Sequence, residues 1–309
     1  MNLSIIIVSW NVRELLAKCL QSVYRSLEGS TLSAEVWVVD NASADGSPEM
    51  VRRRFSQAQL VANSDNIGFA AANNQALRAT SGRYALLLNP DTELRAGALQ
   101  TLVDFLQTKP AAGMVGPKLV YGDGTFQHSA FQFPSLLQVL FDFYPLHPRL
   151  LNSRLNGRYP RALYAAGWPF AIDHPLGACM MVRRQTLDEV GALDEGFFMY
   201  CEEIDWAMRM RRAGWDIYCV PAAEVVHYAG QSTQQFRDEM FVALWRSRFR
   251  LFSKHYGALH NWAARRIVRL GLWREQGKAR RDREAGRLSE DACRRRMMAY
   301  RSVREMTYG

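Results

Sequence analysis

The chain lacks the short signatures by which many nucleotide- and metal-binding proteins are recognised. It contains no Gly-x-Gly-x-x-Gly and no Walker-type Gly-x-x-x-x-Gly-Lys-Ser/Thr segment, so no glycine-rich loop is available to cradle a phosphate. Its five cysteines (Cys19, Cys179, Cys201, Cys219 and Cys293) are scattered and odd in number, with no Cys-x-x-Cys. That excludes a disulfide frame and a zinc ribbon, and points to buried thiols in a reducing compartment. No stretch approaches the roughly 18 uncharged apolar residues of a membrane-spanning helix. Residues 1–8 have neither a basic segment nor a small-residue cleavage site, so they read as a first strand and not as a secretory signal.

What is present is the composition of a soluble globular protein, 48% hydrophobic and 22% charged over 309 residues. That length accommodates one large α/β domain and an appendage. Charge is unevenly placed. Residues 246–309 carry 18 Lys/Arg against 6 Asp/Glu, a net +12, whereas residues 1–245 carry 21 against 24, a net −3. A strongly basic segment on a near-neutral body implies a polyanionic partner, either nucleic acid or an anionic membrane surface.

Hydrophobic patterning over the first ninety residues alternates between two periods. Leu3–Val8, Glu35–Val39, Leu60–Ala62 and Tyr84–Leu88 read as strands, with helices over 12–27, from Ser47 to about Phe55, and over 70–79. Strand–helix alternation implies a parallel sheet with helices on both faces. Ser9, Asp40, Asp65 and Asp91 each follow a strand. In a wound sheet such positions converge on one edge, where ligands bind.

The sharpest of these is Leu86-Leu87-Leu88-Asn89-Pro90-Asp91. Pro90 ends the hydrogen-bond ladder. Asp91 is then offered either as a helix cap or as a carboxylate ligand for a hard divalent cation. Residues 114–173 are rich in Phe, Tyr and Pro, and fit an acceptor surface or a loop-rich satellite core equally well. Gly177 and Ala178 leave room for a ligand or for tight packing. Further on, Glu202, Glu203 and Asp205 lie at the start of a helical segment. If Glu202 opens that helix, Glu202 and Asp205 share a face and Glu203 points elsewhere. Acids in a first helical turn also complement the helix dipole.

Four motifs occur in order: Val8-Ser9-Trp10-Asn11, Val39-Asp40-Asn41-Ala42-Ser43-Ala44-Asp45-Gly46-Ser47, Asn66-Ile67-Gly68-Phe69-Ala70 and Leu88-Asn89-Pro90-Asp91. As a set they resemble the family 2 glycosyltransferases, and more narrowly their bacterial rhamnosyltransferase-like branch, from residue 3 to about 230. The resemblance implies a GT-A fold: α/β, Rossmann-like, a mostly parallel sheet with helices on both faces. Residues 1–236 would form the catalytic domain, with a nucleotide-binding half (1–113) and an acceptor and catalytic half (114–236). Residues 237–309 would form a basic, amphipathic helical extension.

The resemblance also implies roles. Asp40 would hold a pyrimidine base, with Ser9, Asn11, Asn41, Ser43, Asp65, Asn66, Gly68, Asn89 and Gly177 lining the donor pocket. The family's metal motif is usually Asp-x-Asp; Asn89 stands at its first position, which leaves Asp91 as the carboxylate ligand. A histidine at the place of His227, in the motif Val225–Ser232, would complete a site for Mn²⁺ or Mg²⁺. Of the family's acidic pair the second member is the general base, here Glu203 with Glu202 as runner-up; Asp205 is retained beside them as a catalytic candidate. The implied enzyme is an inverting hexosyltransferase with a dTDP- or UDP-linked donor, most simply dTDP-L-rhamnose, and a lipid-linked saccharide acceptor in cell-surface polysaccharide synthesis.

The segments 238–256 and 260–274 interleave aromatic residues with arginines. They read as interfacial helices on an anionic membrane, or as a helical hairpin packed on the body. The tail from Lys278 reads as a loosely docked helix or partly disordered chain. No nucleic-acid recognition fold is visible. The expected place is therefore the cytoplasmic, inner face of a bacterial inner membrane, with the oligomeric state open. A non-catalytic, membrane-associated nucleotide-sugar-binding scaffold is the alternative.

Overall fold

The computed structural model describes residues 2–229 and 237–308. Gly230, Gln231 and Ser232 of the histidine motif lie outside the described residues. In chain order the elements are β1 (Leu3–Ser9), α1 (Arg13–Glu28), β2 (Ala34–Asp40), α2 (Ser47–Arg54), β3 (Gln59–Ala62), α3 (Phe69–Ala79), β4 (Tyr84–Leu88) and β5 (Thr92–Leu94). Next come α4 (Ala98–Thr108), β6 (Ala112–Val120), β7 (Phe126–Gln127), β8 (Ala130–Phe131), α5 (Leu136–Phe143), α6 (Pro148–Leu151) and α7 (Arg161–Ala165). Then follow β9 (Phe170–Ala171), β10 (His174–Pro175), β11 (Cys179–Arg183), α8 (Arg184–Val190), α9 (Glu202–Arg212) and β12 (Asp216–His227). Last are α10 (Arg237–His255), α11 (Ala258–Glu284) and α12 (Glu290–Met306).

Two compact units result. The first comprises Met1–Gln132, Tyr159–Phe198 and Glu202–Ser232; the second comprises Phe133–Arg158, Met199–Cys201 and Thr233–Gly309.

The first unit is built on a sheet of order β3-β2-β1-β4-β11-β6-β12-β5. Strands β1 to β4 are parallel. Every residue of β1 and β4 is buried, because helices cover both faces; this is why these strands are apolar runs and do not alternate. Leu16, Cys19, Leu20 and Val23 of α1 pack onto this core together with Ile5, Ile7, Leu86 and Leu88. Ser4, the polar residue near the start of β1, is satisfied: its hydroxyl donates to Glu35 Oε1 (2.6 Å) and accepts from the Gly82 amide (2.9 Å). An unpaired hydroxyl there would cost about 1–3 kcal/mol.

The other half of the sheet is mixed. β11 runs antiparallel to both β4 and β6, and β5 antiparallel to β12. The antiparallel insertion has a consequence for function. Residues that precede β11 lie at the same edge as residues that follow β4, and the Asn89 amide donates to the Ala178 carbonyl there (2.9 Å). The pairings Ser9↔Asp40, Asp40↔Ala62 and Ile7↔Leu88 bring the ends of β1 to β4 to that edge too.

The second unit is helical. Trp245, Phe249 and Phe252 of α10, Val268 and Leu272 of α11, and Tyr300 and Val303 of α12 share one apolar core with Val139 and Phe143 of α5. Gly271 allows the closest approach: a Cβ there would lie 2.1 Å from Phe143 Cγ. Two expectations change here. Segment 133–158, read as part of the acceptor half, belongs to the helical unit. The tail is not loosely docked, because α12 buries Cys293, Tyr300 and Val303. All five cysteines are buried and none is in a disulfide; burial pushes the Cys19 thiol up to about 12.

Candidate active site

The loop after β1 and the loop after β2 are stitched together. Asn11 adopts the left-handed conformation (φ 53°). Its amide donates to Ser43 Oγ (2.9 Å), and its Oδ1 accepts from the Ala44 amide (2.8 Å). The Arg13 amide donates to Asp45 Oδ2 (2.8 Å). Asp40 divides its carboxylate. Oδ2 accepts from the Ser43 amide (2.8 Å) and closes the turn, whereas Oδ1 is buried with no hydrogen-bond partner among the described residues. The hydroxyl of Ser9, its cross-strand neighbour, is also buried and unpaired. An unmatched carboxylate oxygen beside an unmatched hydroxyl is an arrangement suited to a ligand carrying its own N–H.

Asn41 and Asn66 act differently. Asn41 Nδ2 lies 3.2 Å from both Asn66 Oδ1 and the Gly68 carbonyl, and its Oδ1 accepts from Asn63 Nδ2 (2.9 Å). Both residues therefore hold the loop ahead of α3 in place. Gly68 is required: at φ 87° an added Cβ would fall 2.5 Å from the Phe198 carbonyl oxygen. Asp65 does not join the others. It is exposed, and accepts from the neighbouring Ser64 hydroxyl.

Asp91 is buried and caps no helix, since α4 begins at Ala98 with Gly97 as its cap. Pairing of β5 with β12 sets His227 opposite Thr92, and the Tyr228 amide donates to the Asp91 carbonyl (2.9 Å). His227 Nε2 consequently lies 3.5 Å from Asp91 Oδ1. The other ring nitrogen, Nδ1, is 3.2 Å from Gln127 Oε1. With Nδ1–H donating to Gln127, the Nε2 lone pair faces Asp91, the orientation typical of a metal-ligating histidine. A lone pair facing a carboxylate oxygen is repulsive until a cation lies between them. No group of three His, Cys, Asp or Glu residues suited to a metal occurs among the described residues. Asp91 and His227 are thus the two side chains that would hold a cation here.

Helix α9 is entered through Tyr200 (φ 71°) and Cys201 (φ 67°), both left-handed. Such residues cost of order 1–3 kcal/mol each. The first turn separates its three acids. Asp205 is fully buried and ion-paired to Arg209 (2.9 Å), whose guanidinium also donates to the carbonyls of Val190 and Ala192. Through that ion pair it secures the helix to the turn after α8, a structural part at the position that the sequence reading gave as a catalytic candidate. Glu202 is buried, and its Oε2 has no hydrogen-bond partner among the described residues. Burial, with the Glu203 charge beside it, pushes its carboxyl well above the usual range. Glu203 is half-buried and points elsewhere, against Gly177: a Cβ on that glycine would sit 3.7 Å from Glu203 Cδ. Glu203, Gly177 and Asn89 are thereby brought to one rim.

Glu202 carries a pH prediction. The folded carboxyl keeps its proton at pH values where an unfolded glutamate has lost it. Its contribution to stability is complete below about pH 4 and declines as pH rises through the raised folded value. Glu202→Gln removes that loss. The Tm difference between variant and parent should grow from about pH 4 to about pH 8; an equal difference at both ends refutes a buried, proton-holding Glu202.

Gln127 and Arg209 are absent from the sequence-based assignment. Gln127 follows the Gly122–Gly124 hairpin on β7, whose pairing to β6 brings it under His227. Arg209 stands four residues after Asp205, a spacing that signals an intrahelical ion pair.

Residues 4–191 match the model of Glycosyl transferase family 2. The chain is 33% identical over 215 residues to an N-acetylglucosaminyl-diphospho-decaprenol L-rhamnosyltransferase of Mycobacterium tuberculosis, covering 64% of this chain and 67% of that one. It is 27% identical over 197 residues to rhamnosyltransferase WbbL of Escherichia coli, covering 60% and 70%. Among solved structures, mannosyltransferase PcManGT from Pyrobaculum calidifontis, in complex with GDP-Man and Mn²⁺, aligns with a TM-score of 0.57 at 20% identity, over 99% of this chain and 84% of that one. The likeness in structure is one of fold, and the fold is the GT-A type that the ordered motifs imply.

Proposed function

Because the chain belongs to glycosyl transferase family 2, and is a glycosyltransferase, we propose that it moves L-rhamnose from dTDP-L-rhamnose to a lipid-linked saccharide. The reaction is a single inverting displacement at the inner face of a bacterial inner membrane. The observation that carries this reading is the meeting of Asp91 and His227, remote in sequence, at 3.5 Å. The donor sugar and acceptor class follow the L-rhamnosyl and diphospho-decaprenol chemistry in the name of the mycobacterial relative.

Each residue then has a task. Asp40 Oδ1 accepts the N3–H of thymine or uracil, which cytosine lacks. Asp91 and His227 are the residues that would hold a divalent ion, Mn²⁺ or Mg²⁺, whose chemistry there would be neutralisation of charge on the departing diphosphate. Gly177 leaves space beside Glu203 for the sugar and the acceptor hydroxyl. Glu203 removes the proton from that hydroxyl as its oxygen bonds to the anomeric carbon, opposite the breaking carbon–oxygen bond to phosphate. Glu202, holding its proton, adds no second negative charge beside the base.

The test is release of nucleoside diphosphate across dTDP-rhamnose, UDP-sugars and GDP-mannose, with a lipid-linked N-acetylglucosaminyl diphosphate as acceptor. Turnover is expected with dTDP-rhamnose. Turnover confined to UDP-sugars moves the donor assignment, and turnover confined to GDP-mannose overturns the pyrimidine reading of Asp40.

A further inference from the structure

Helix α11 has two unlike faces. One is buried: Ala264, Val268 and Leu272 enter the helical core. The other is exposed although it bears large apolar side chains. Leu259 is 78% exposed, Trp262 58%, Leu270 62% and Trp273 78%. Their spacings of three, eight and three residues place all four within a band about 100° wide on a helix of this pitch. Arg266 falls in the same band and lies over the Trp262 ring (5.5 Å). Two turns beyond Trp273 the band turns basic with Arg280 and Arg281, both exposed.

The arginines of α11 are sorted by face. Arg265 and Arg269 point inward and donate to the carbonyls of Met306 and Thr307, and Arg274 to that of Phe143. These are structural clamps. Arg266, Arg280 and Arg281 make no such contact among the described residues and lie on the apolar band's own face.

We propose that this face of α11 seats on an anionic lipid bilayer, with the helix in the plane of the interface. The proposal deepens the membrane placement above and rests on it for the choice of a bilayer. Tryptophan near both ends of an apolar stripe, with arginines on the same face, matches the interfacial zone, where indole rings sit among headgroups and arginine meets lipid phosphate. Charge complementarity selects this occupant. A second copy packed symmetrically on this band would set Arg266 against its own counterpart, and nucleic acid has no use for four apolar side chains in a line.

The experiment is co-flotation of the full chain with phosphatidylcholine vesicles and with vesicles containing phosphatidylglycerol, together with quenching of tryptophan fluorescence by brominated acyl chains. Binding and quenching are expected with phosphatidylglycerol, weakening as salt shortens the Debye length. Trp262→Ser with Trp273→Ser should lower the partition coefficient roughly tenfold or more. Arg280→Glu with Arg281→Glu should abolish the preference for phosphatidylglycerol. Unquenched binding, undiminished binding by the serine variant, a dimer that the serine variant dissolves, or retention on DNA in place of vesicles would each overturn the assignment. The parent protein separates this from the reading of function. Transfer to a short-chain, water-soluble acceptor without vesicle binding defeats only the docking face. Vesicle binding with no transfer from any donor defeats only the proposed reaction.

Discussion

Glu203→Gln is expected to bind donor as the parent does and to turn it over about 10²–10⁴-fold more slowly, the usual range for loss of a general base. The substitution keeps the shape of the side chain and its packing against Gly177, and removes its charge and with it proton acceptance. Calorimetry of donor binding and a single-turnover assay measure the two halves of the claim. A Glu203→Gln enzyme within a few-fold of the parent, paired with an inactive Glu202→Gln, would transfer the role to Glu202. The structure argues against that outcome, because Glu202 is buried and its carboxyl is pushed towards the protonated form. A neutral acid cannot accept the proton that the reaction must lose.

The second large effect concerns the cation. Asp91→Ala should reduce metal-dependent donor affinity by on the order of 100-fold or more, since even loss of a group that only orients a ligand costs 10–100-fold. His227→Ala should act in the same direction. Gln127→Leu should act more weakly, because it removes only the hydrogen bond that turns Nε2 towards Asp91. The readout is donor titration with Mn²⁺ and with chelator. The parent should respond strongly to the ion and Asp91→Ala hardly at all. An Asp91→Ala protein whose affinity still rises with Mn²⁺ removes Asp91 from the site.

The first ninety residues were legible because both-face burial writes strands as plain apolar runs, and the punctuation after each run is sharp. Val8-Ser9, Val39-Asp40 and Leu88-Asn89 mark strand ends to within a residue or two. Asp65 was grouped with them on position alone, and position does not reveal whether a turn faces the sheet edge or solvent. The link between Asp91 and His227 spans 136 residues and has no local signature; only the family resemblance joined them. For Asp205 the decisive clue was present four residues later, in Arg209, but helical spacing alone reports a shared face and not a partner. In α11, periodicity defines two faces and leaves open which one is covered. Packing on α5 and α12 answered that.

The helical unit is assembled from separated pieces of chain. Phe143, from the middle of the sequence, sits where Gly271 makes room for it. Shortening the gene after codon 236 would therefore not yield a tidy catalytic fragment. It would strip Val139 and Phe143 of their neighbours and leave a greasy stump in the remaining protein, prone to aggregate. Conversely, the last seventy residues expressed alone would fold around a hole. The two regions have to be inherited, cut and grafted together.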